Sequence, residues 1–257
     1  LSQLLRQKRF KNGSVDFQVP EPEIHIDSAG HVERIGIAEH NSAHELIEEF
    51  MLAANQFVAL NLHERGIPSI HRIHEAPDPE RLRGFNEYID SFGLKIPSPV
   101  RSTDLQALLE KINDRPEERV VNTLLLRTMK KARYSETDPG HFCLGFPHYA
   151  HFTSPIRRYP DLMVHRIIKK YLKRKCPQKD KKGLYSRLAE ISEQSTQMEI
   201  QAMAISREVT DLRRTQFMVD KVGHTFHGII TGVTGFGFFA ELEEVFVEGL
   251  VKISSIM

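Results

Sequence analysis

Apolar and polar positions along this chain change their period twice. Between residues 15 and 40, VDFQVPEPEIHIDSAGHVERIGIAEH alternates apolar with polar residues around DSAG, the pattern of a hairpin with a tight turn. Helical spacing then takes over. In NSAHELIEEFMLAANQFVALNLHERG, Ser42 with Glu45 makes a capping box, Ile47, Phe50, Met51, Ala54, Phe57 and Val58 form an apolar stripe, and Gly66 supplies a stop. Asp78 before Pro79 opens another helix that closes at Gly93, and STDLQALLEKIND and RPEERVVNTLLLRTMKKA continue the pattern. A further helix begins near Pro160 and reaches KKYLKRK. KRKCPQKDKKG reads as an exposed basic loop. A long helix then spans about Leu184 to Val219, with Leu188, Ile191, Met198, Ala202, Ile205, Val209 and Leu212 at helical spacing. After Lys221 the spacing becomes that of short strands joined by tight turns, in GHTFHGIITGVTGFGFFAELEEVFVEGLVKISS. The expected fold is therefore α+β: a mostly helical part, 1–219, followed by part of a small β-barrel, 220–257. A five-stranded barrel of about that type needs more than the three strands this tail supplies.

Composition narrows the class without naming it. Of 257 residues, 40% are hydrophobic and 27% charged, enough for a large core and a small appendage. Lys and Arg number 35 against 34 for Asp and Glu, so attraction to a polyanion must come from local clusters. The two cysteines, Cys143 and Cys176, lack CxxC spacing and point to a reducing cytosol. No apolar run is long enough to suggest a membrane span or signal sequence. The chain starts without Met and stops soon after a strand-like run, so both ends look cut.

The main chemical candidate is HFTSPIRRYPDLMVHR, residues 151–166. Pro155 and Pro160 stiffen the backbone around Arg157 and Arg158, and Pro160 suits the first turn of a helix. Guanidinium groups on a rigid lead-in to a helix suit forked binding of phosphate. The alternative is that one or both arginines pair with carboxylates such as Asp161, and composition does not decide between them. His141, His148 and His151 also lie close in sequence, and HYAH on a helix would make a zinc arrangement. The surrounding glycines and prolines argue against that helix, which leaves packing or phosphate contact as the plainer role.

HFTSPIRRYPDLMVHR resembles the signature of the ribonuclease II and ribonuclease R family of 3′→5′ hydrolytic exoribonucleases. DFQVPEPEI, HELIEEFMLAANQFVA, GIPSIHRIHEAPDPERL and SREVTDLRRTQFM resemble further blocks of the same catalytic domain in family order, closer to the ribonuclease R branch. The tail resembles the first half of the S1-type OB-fold that follows. The resemblance implies that 1–219 is the C-terminal part of an RNB catalytic domain and 220–257 the start of an S1-type domain. It aligns Arg157 with the arginine on the scissile phosphate, where fixed charge stabilises an in-line displacement, with Arg158 beside it. Glu48 aligns with a glutamate near the 3′-terminal ribose, where accepting from a 2′-OH favours RNA over DNA; an exposed helix acid is the plainer alternative. Phe17 aligns with an aromatic that stacks on bases, although a lone strand Phe is more often core. In the tail, Phe236, Phe239 and Lys252 align with the RNA face, with at least one of Phe236, Phe238 and Phe239 expected in the core.

Two departures limit the transfer. Ser206 stands where many relatives carry Glu. The family's metal-binding aspartates lie in a segment upstream of DFQVP, and nothing resembling it occurs here, so Mg²⁺ is expected for the complete enzyme with ligands outside this chain. The implied function is processive hydrolysis of single-stranded RNA to nucleoside 5′-monophosphates in RNA decay and quality control, by a cytoplasmic monomer with no membrane partner. The alternatives are an RNA-binding module without nuclease activity and, more weakly, a metal hydrolase using the histidines.

Overall fold

A computed structural model describes residues 1–15, 17, 22–172, 178–243 and 245–256. Helix α1 is Ser2–Lys11, the hairpin pairs β1 (Pro22–Ile26) with β2 (Val32–Ile37), and α2 is Ser42–Glu64. Strand β3 (His71–Ile73) precedes α3 (Pro79–Asp90), α4 (Ser102–Ile112) and α5 (Glu118–Thr128). It pairs antiparallel with β4 (Arg133–Ser135). Then come α6 (Tyr159–Tyr171), α7 (Gln178–Met218) and an antiparallel meander of β5 (Gly228–Thr234), β6 (Gly237–Leu242) and β7 (Glu248–Lys252). The chain divides into two compact units, Leu1–Gln18 with His40–Glu199, and Val19–Glu39 with Ile200–Met257.

The first unit holds two apolar clusters. Helices α3, α4 and α5 close one around Phe85, Ile89, Leu105, Ile112, Val121 and Leu125. The other gathers Leu62 of α2, Ile67, Ile70, Val164 and Ile167 of α6, and Leu188 of α7. Helix α3 starts as its sequence dictates: the Asp78 carboxylate accepts from the backbone N–H groups of Glu80 and Arg81 at 2.9 and 3.3 Å. Gly66, at φ +60°, ends α2 where a side chain would be strained.

Several expectations are corrected. The cap of α2 is Asn41, not Ser42; its side chain accepts from Ala43 and His44, while His44 closes the box where Glu45 was expected. An Asn amide oxygen reaches those donors from one residue earlier. The stripe along α2 is split: Ile47, Phe50 and Phe57 are exposed, Met51, Ala54 and Val58 are half-buried, with Val58 against the second cluster, and the fully buried positions are Glu49, Asn55, Ala59 and Leu62. The reason is polar, because Glu49 and Asn55 satisfy partners far along the chain, Arg9 and Tyr149. The stripe of α7 is buried at Leu188 and Ile191 and exposed from Met198 onward. The basic stretch is not all loop, since α7 begins at Gln178; residues 173–177, with Cys176, lie outside the described residues. The spacing also missed α1 and the three-residue strands β3 and β4, too short to show a period.

In the second unit, the Asp27 carboxylate accepts from Ala29 and His31 and shapes the expected DSAG turn. Three strands form the tail, as counted from sequence, and they make an open sheet with Val245 and Phe246 buried.

Helix α1 buries none of its residues completely, and a charged contact fixes it. Arg9 reaches Glu49 at 2.5 Å, with side chains 11% and 4% exposed, and gives Ser14 Oγ a bond at 2.7 Å. Arg6 and Glu45 form a second pair at about one-third exposure. Removing one partner of a buried pair costs about 3–5 kcal/mol, whereas an exposed pair contributes less than about 1 kcal/mol. Glu49→Ala should therefore lower unfolding free energy in urea several times more than Glu45→Ala. Equal losses would show that the buried pair is not what holds α1.

Candidate functional site

A cleft of about 320 Å³ opens along α2, lined by His40, His44, Ile47, Glu48, Met51, Leu52, Asn55, Tyr149, His151 and Arg158. Positions 44, 48, 51, 52 and 55 recur at helical spacing, so one face of α2 supplies that wall. Part of the exposed stripe is thus the floor of a cleft. Glu48 is half-exposed, and His40 Nε2 lies 3.6 Å from its carboxylate. Buried Asn55 donates to the Tyr149 hydroxyl at 3.1 Å and accepts from the Phe152 N–H at 3.0 Å. One α2 side chain thereby sets the opposite wall.

The two adjacent arginines part company. Asp161, in the first turn of α6, is fully buried, and its Oδ1 accepts from the Ser154 N–H at 2.9 Å and from Arg158 Nη2 at 2.8 Å. Arg158 is therefore paired, as the salt-bridge alternative required, and also faces the cleft. Arg157 is exposed, and its guanidinium has no hydrogen bond or ion pair among the described residues.

The surroundings keep several titratable groups neutral. Burial, then Arg158, Arg72, His141 and Arg157, push the His151 imidazole down to about 2. His151 Nδ1 bonds the Tyr134 hydroxyl at 3.0 Å, and burial pushes Tyr134 up to about 12. Burial, then His74 and Arg72, lower His141 to about 3, and burial raises Tyr149. On the wall opposite α2 the Arg158 guanidinium is counterbalanced by buried Asp161, and exposed Arg157, just outside the cleft lining, adds a guanidinium with no ion-pair partner among the described residues.

The other expected residues lie elsewhere. Phe17 is half-buried against the α3–α5 cluster. Phe236 sits in the turn between β5 and β6 rather than in a strand, and is 59% exposed. Phe239 is half-buried in β6, and Lys252 pairs with Gly237, so Phe239 and Lys252 share one sheet face. None of Phe236, Phe238 and Phe239 is fully buried; Phe246 fills that role. The three clustered histidines do not converge either. His141 stacks on His74, His151 bonds Tyr134, and His148 bonds Asp138, in loops and a short 3₁₀ turn as their glycines and prolines foretold. Sequence reasoning missed His40, His44, Asn55 and Tyr149 as cleft residues and left His151 at packing or phosphate contact, although the α2 spacing carried a signal for His44 and Asn55.

The RNB domain family model matches residues 1–174. Ribonuclease R of Aquifex aeolicus is 43% identical over 258 residues, covering 100% of this chain and 36% of that protein. The chain spans about a third of the length of the curated relatives it matches. Among solved structures, Mycoplasma genitalium RNase R in complex with ribose methylated single-stranded RNA is similar with a TM-score of 0.92 and 32% identity, covering 99% of this chain and 40% of that one. The same protein in complex with double-stranded RNA gives a TM-score of 0.90 and 31% identity over 98% and 45%. Among the described residues, no helix is long and apolar enough to cross a membrane.

The neutral histidines have a consequence for stability. Unfolding returns His141 and His151 to ordinary values near about 6.5. Below that pH the unfolded chain binds protons that the folded chain excludes, so stability falls as pH drops. Each histidine adds at most about 1.4 kcal/mol per pH unit. His151→Gln should flatten the decline in urea stability between about pH 6.5 and about pH 5. An unaltered decline would place the proton uptake elsewhere.

Proposed function

The chain belongs to the RNB domain family, and from that membership we propose that it is part of a 3′→5′ exoribonuclease of the ribonuclease R type, supplying a surface that receives single-stranded RNA. The observation that carries this reading is the cleft joining Glu48 to Arg158, with Arg157 exposed in the same loop, all within the matched residues. In this reading Arg157 forks onto the scissile phosphate and stabilises charge there. Asp161 holds Arg158 as a second, fixed cation. Glu48 accepts from the 2′-OH of the terminal ribose. The accessible part of the Phe17 ring stacks on a base, and Phe236, Phe239 and Lys252 offer aromatic and cationic contacts to the strand. Residues 1–219 are assigned to the C-terminal part of the catalytic domain and 220–257 to the start of an S1-type OB-fold. The whole enzyme would act as a cytoplasmic monomer, processively releasing nucleoside 5′-monophosphates in RNA decay and quality control.

Nucleases of this family depend on metal ions. Magnesium takes an oxygen-rich octahedral shell, and the cleft offers one carboxylate, Glu48. These residues do not fit a catalytic magnesium centre, so no step is assigned to a metal held in the cleft. The same observation favours a second reading, RNA binding without hydrolysis.

Fluorescence anisotropy with a labelled oligonucleotide tests the grip. The chain should bind single-stranded RNA with strong salt dependence, and Arg157→Ala should reduce the salt slope by about 1. Glu48→Ala should narrow the gap between RNA and DNA; an unchanged preference returns Glu48 to a surface acid. Incubated with magnesium, the chain alone should bind without shortening the RNA, and stepwise shortening would reveal a metal centre within it. Adding the aspartate-bearing segment of a relative, in cis or as a second chain, separates the readings: mononucleotide release supports the nuclease, and its absence supports the binding module.

A further inference from the structure

We propose that His63, His71, Asp138 and His148 form a structural site for a divalent metal of the zinc class, separate from the cleft. His63 stands in the last turn of α2, His71 opens β3, Asp138 lies in the loop after β4, and His148 in the loop before Tyr149. Donor atoms of His63, Asp138 and His148 all lie within 4.8 Å of one another. His148 Nδ1 is 2.6 Å from Asp138 Oδ2, and His71 Nδ1 is 3.4 Å from the same oxygen.

Two further observations separate this cluster from an ordinary ion pair. The His71 side chain is 8% exposed and that of Asp138 11%, yet His71 Nδ1 and Asp138 Oδ1 are buried without hydrogen-bond partners. Orphaned buried donors and acceptors cost stability unless something answers them. Asp138 also has no Lys or Arg in ion-pair range among the described residues; its only such partners there are His71 and His148. A cation placed among these atoms would satisfy both orphans and the carboxylate together.

The donor set selects the metal. Three imidazoles and one carboxylate suit zinc rather than magnesium or calcium, which prefer oxygen shells. Zinc bonds of about 2.0–2.1 Å set tetrahedral donors about 3.4 Å apart; the donors of His63, Asp138 and His148 lie within 4.8 Å of one another, and His71, 3.4 Å from Asp138 but outside that group, has to shift toward the ion to join them. The His63 and His148 rings, stacked at 3.8 Å, need to rotate to aim their nitrogens at one point. With His71 drawn in as the fourth ligand no open position is left, so the site is structural rather than catalytic. Exposed His63 gives the ion a way in. Bound metal would pin the end of α2 to β3 and to the loop that continues into Tyr149 and His151.

The test uses the purified 257-residue chain after chelator treatment. Calorimetric titration with zinc chloride should show one saturable site. Zinc should raise the melting temperature, a chelator should reverse the rise, and magnesium should not reproduce it. Asp138→Asn and His63→Ala should each weaken zinc binding at least about tenfold, with folding checked by circular dichroism, while His224→Ala leaves it unchanged. Cobalt in place of zinc should give the visible bands of a four-coordinate ion. Failure to bind zinc saturably, or binding unaltered in both Asp138→Asn and His63→Ala, overturns the proposal.

Discussion

The buried carboxylate of Asp161 sets the geometry of the candidate site. A carboxylate sealed from solvent needs charge and hydrogen bonds to compensate for lost hydration. Asp161 takes a backbone N–H from Ser154 and a guanidinium from Arg158, so the turn containing Pro155 folds back onto the start of α6. Neighbouring side chains in such a turn cannot share one direction. With Arg158 drawn to Asp161, Arg157 is left outside and free to meet a ligand. The two arginines that look equivalent in the sequence are thereby divided into a fixed cation and an available one.

The same principle organises α2. Its buried face is defined by polar groups with distant partners: Glu49 meets Arg9, and Asn55 meets Tyr149 and the Phe152 backbone. Those contacts hold Glu49 and Asn55 inward, while Ile47, Phe50 and Phe57 of the apolar stripe face outward and Ile47 and Met51 line the cleft. The spacing of apolar residues alone would have pointed the helix the other way; once Glu49 and Asn55 are inside, turning them out would leave Arg9 and Tyr149 without their partners, and an unpaired buried charge is costly.

This explains how much of the molecule was legible. Local chemistry was readable: Asp78 and Pro79 at the start of α3, Gly66 at the end of α2, the Asp27 turn, and the period change that gave three tail strands. The family was readable from HFTSPIRRYPDLMVHR, whose prolines and arginines form an unusual local grammar. Orientation was not. The faces of α2 and α7 depend on partners far along the chain, and β3 and β4 are too short to carry a period. The cleft was half legible, in that Glu48 and Arg158 do meet there, while Tyr149 and His151 arrive through a loop whose path depends on Asn55. His63 and His71 lie far along the chain from Asp138 and His148, and no spacing rule joins the two pairs.

The site also shows how a chain of net charge +1 can set guanidinium groups beside a cleft: Arg158, balanced by Asp161, and exposed Arg157 next to it. Burial holds His141 and His151 uncharged and keeps the Tyr134 and Tyr149 hydroxyls protonated, so these groups add dipoles without adding charge. Arginine as a side chain is charged at any pH a folded protein meets. Local field therefore depends on which side chains resist neutralisation, and overall composition does not report it. An anion entering the cleft would find the Arg158 guanidinium already oriented by Asp161, its charge offset by that carboxylate, so net attraction would come from Arg157 and little reorganisation would be left to perform. The cost of fixing that charge was met in folding, in the hydrogen bonds around one buried carboxylate.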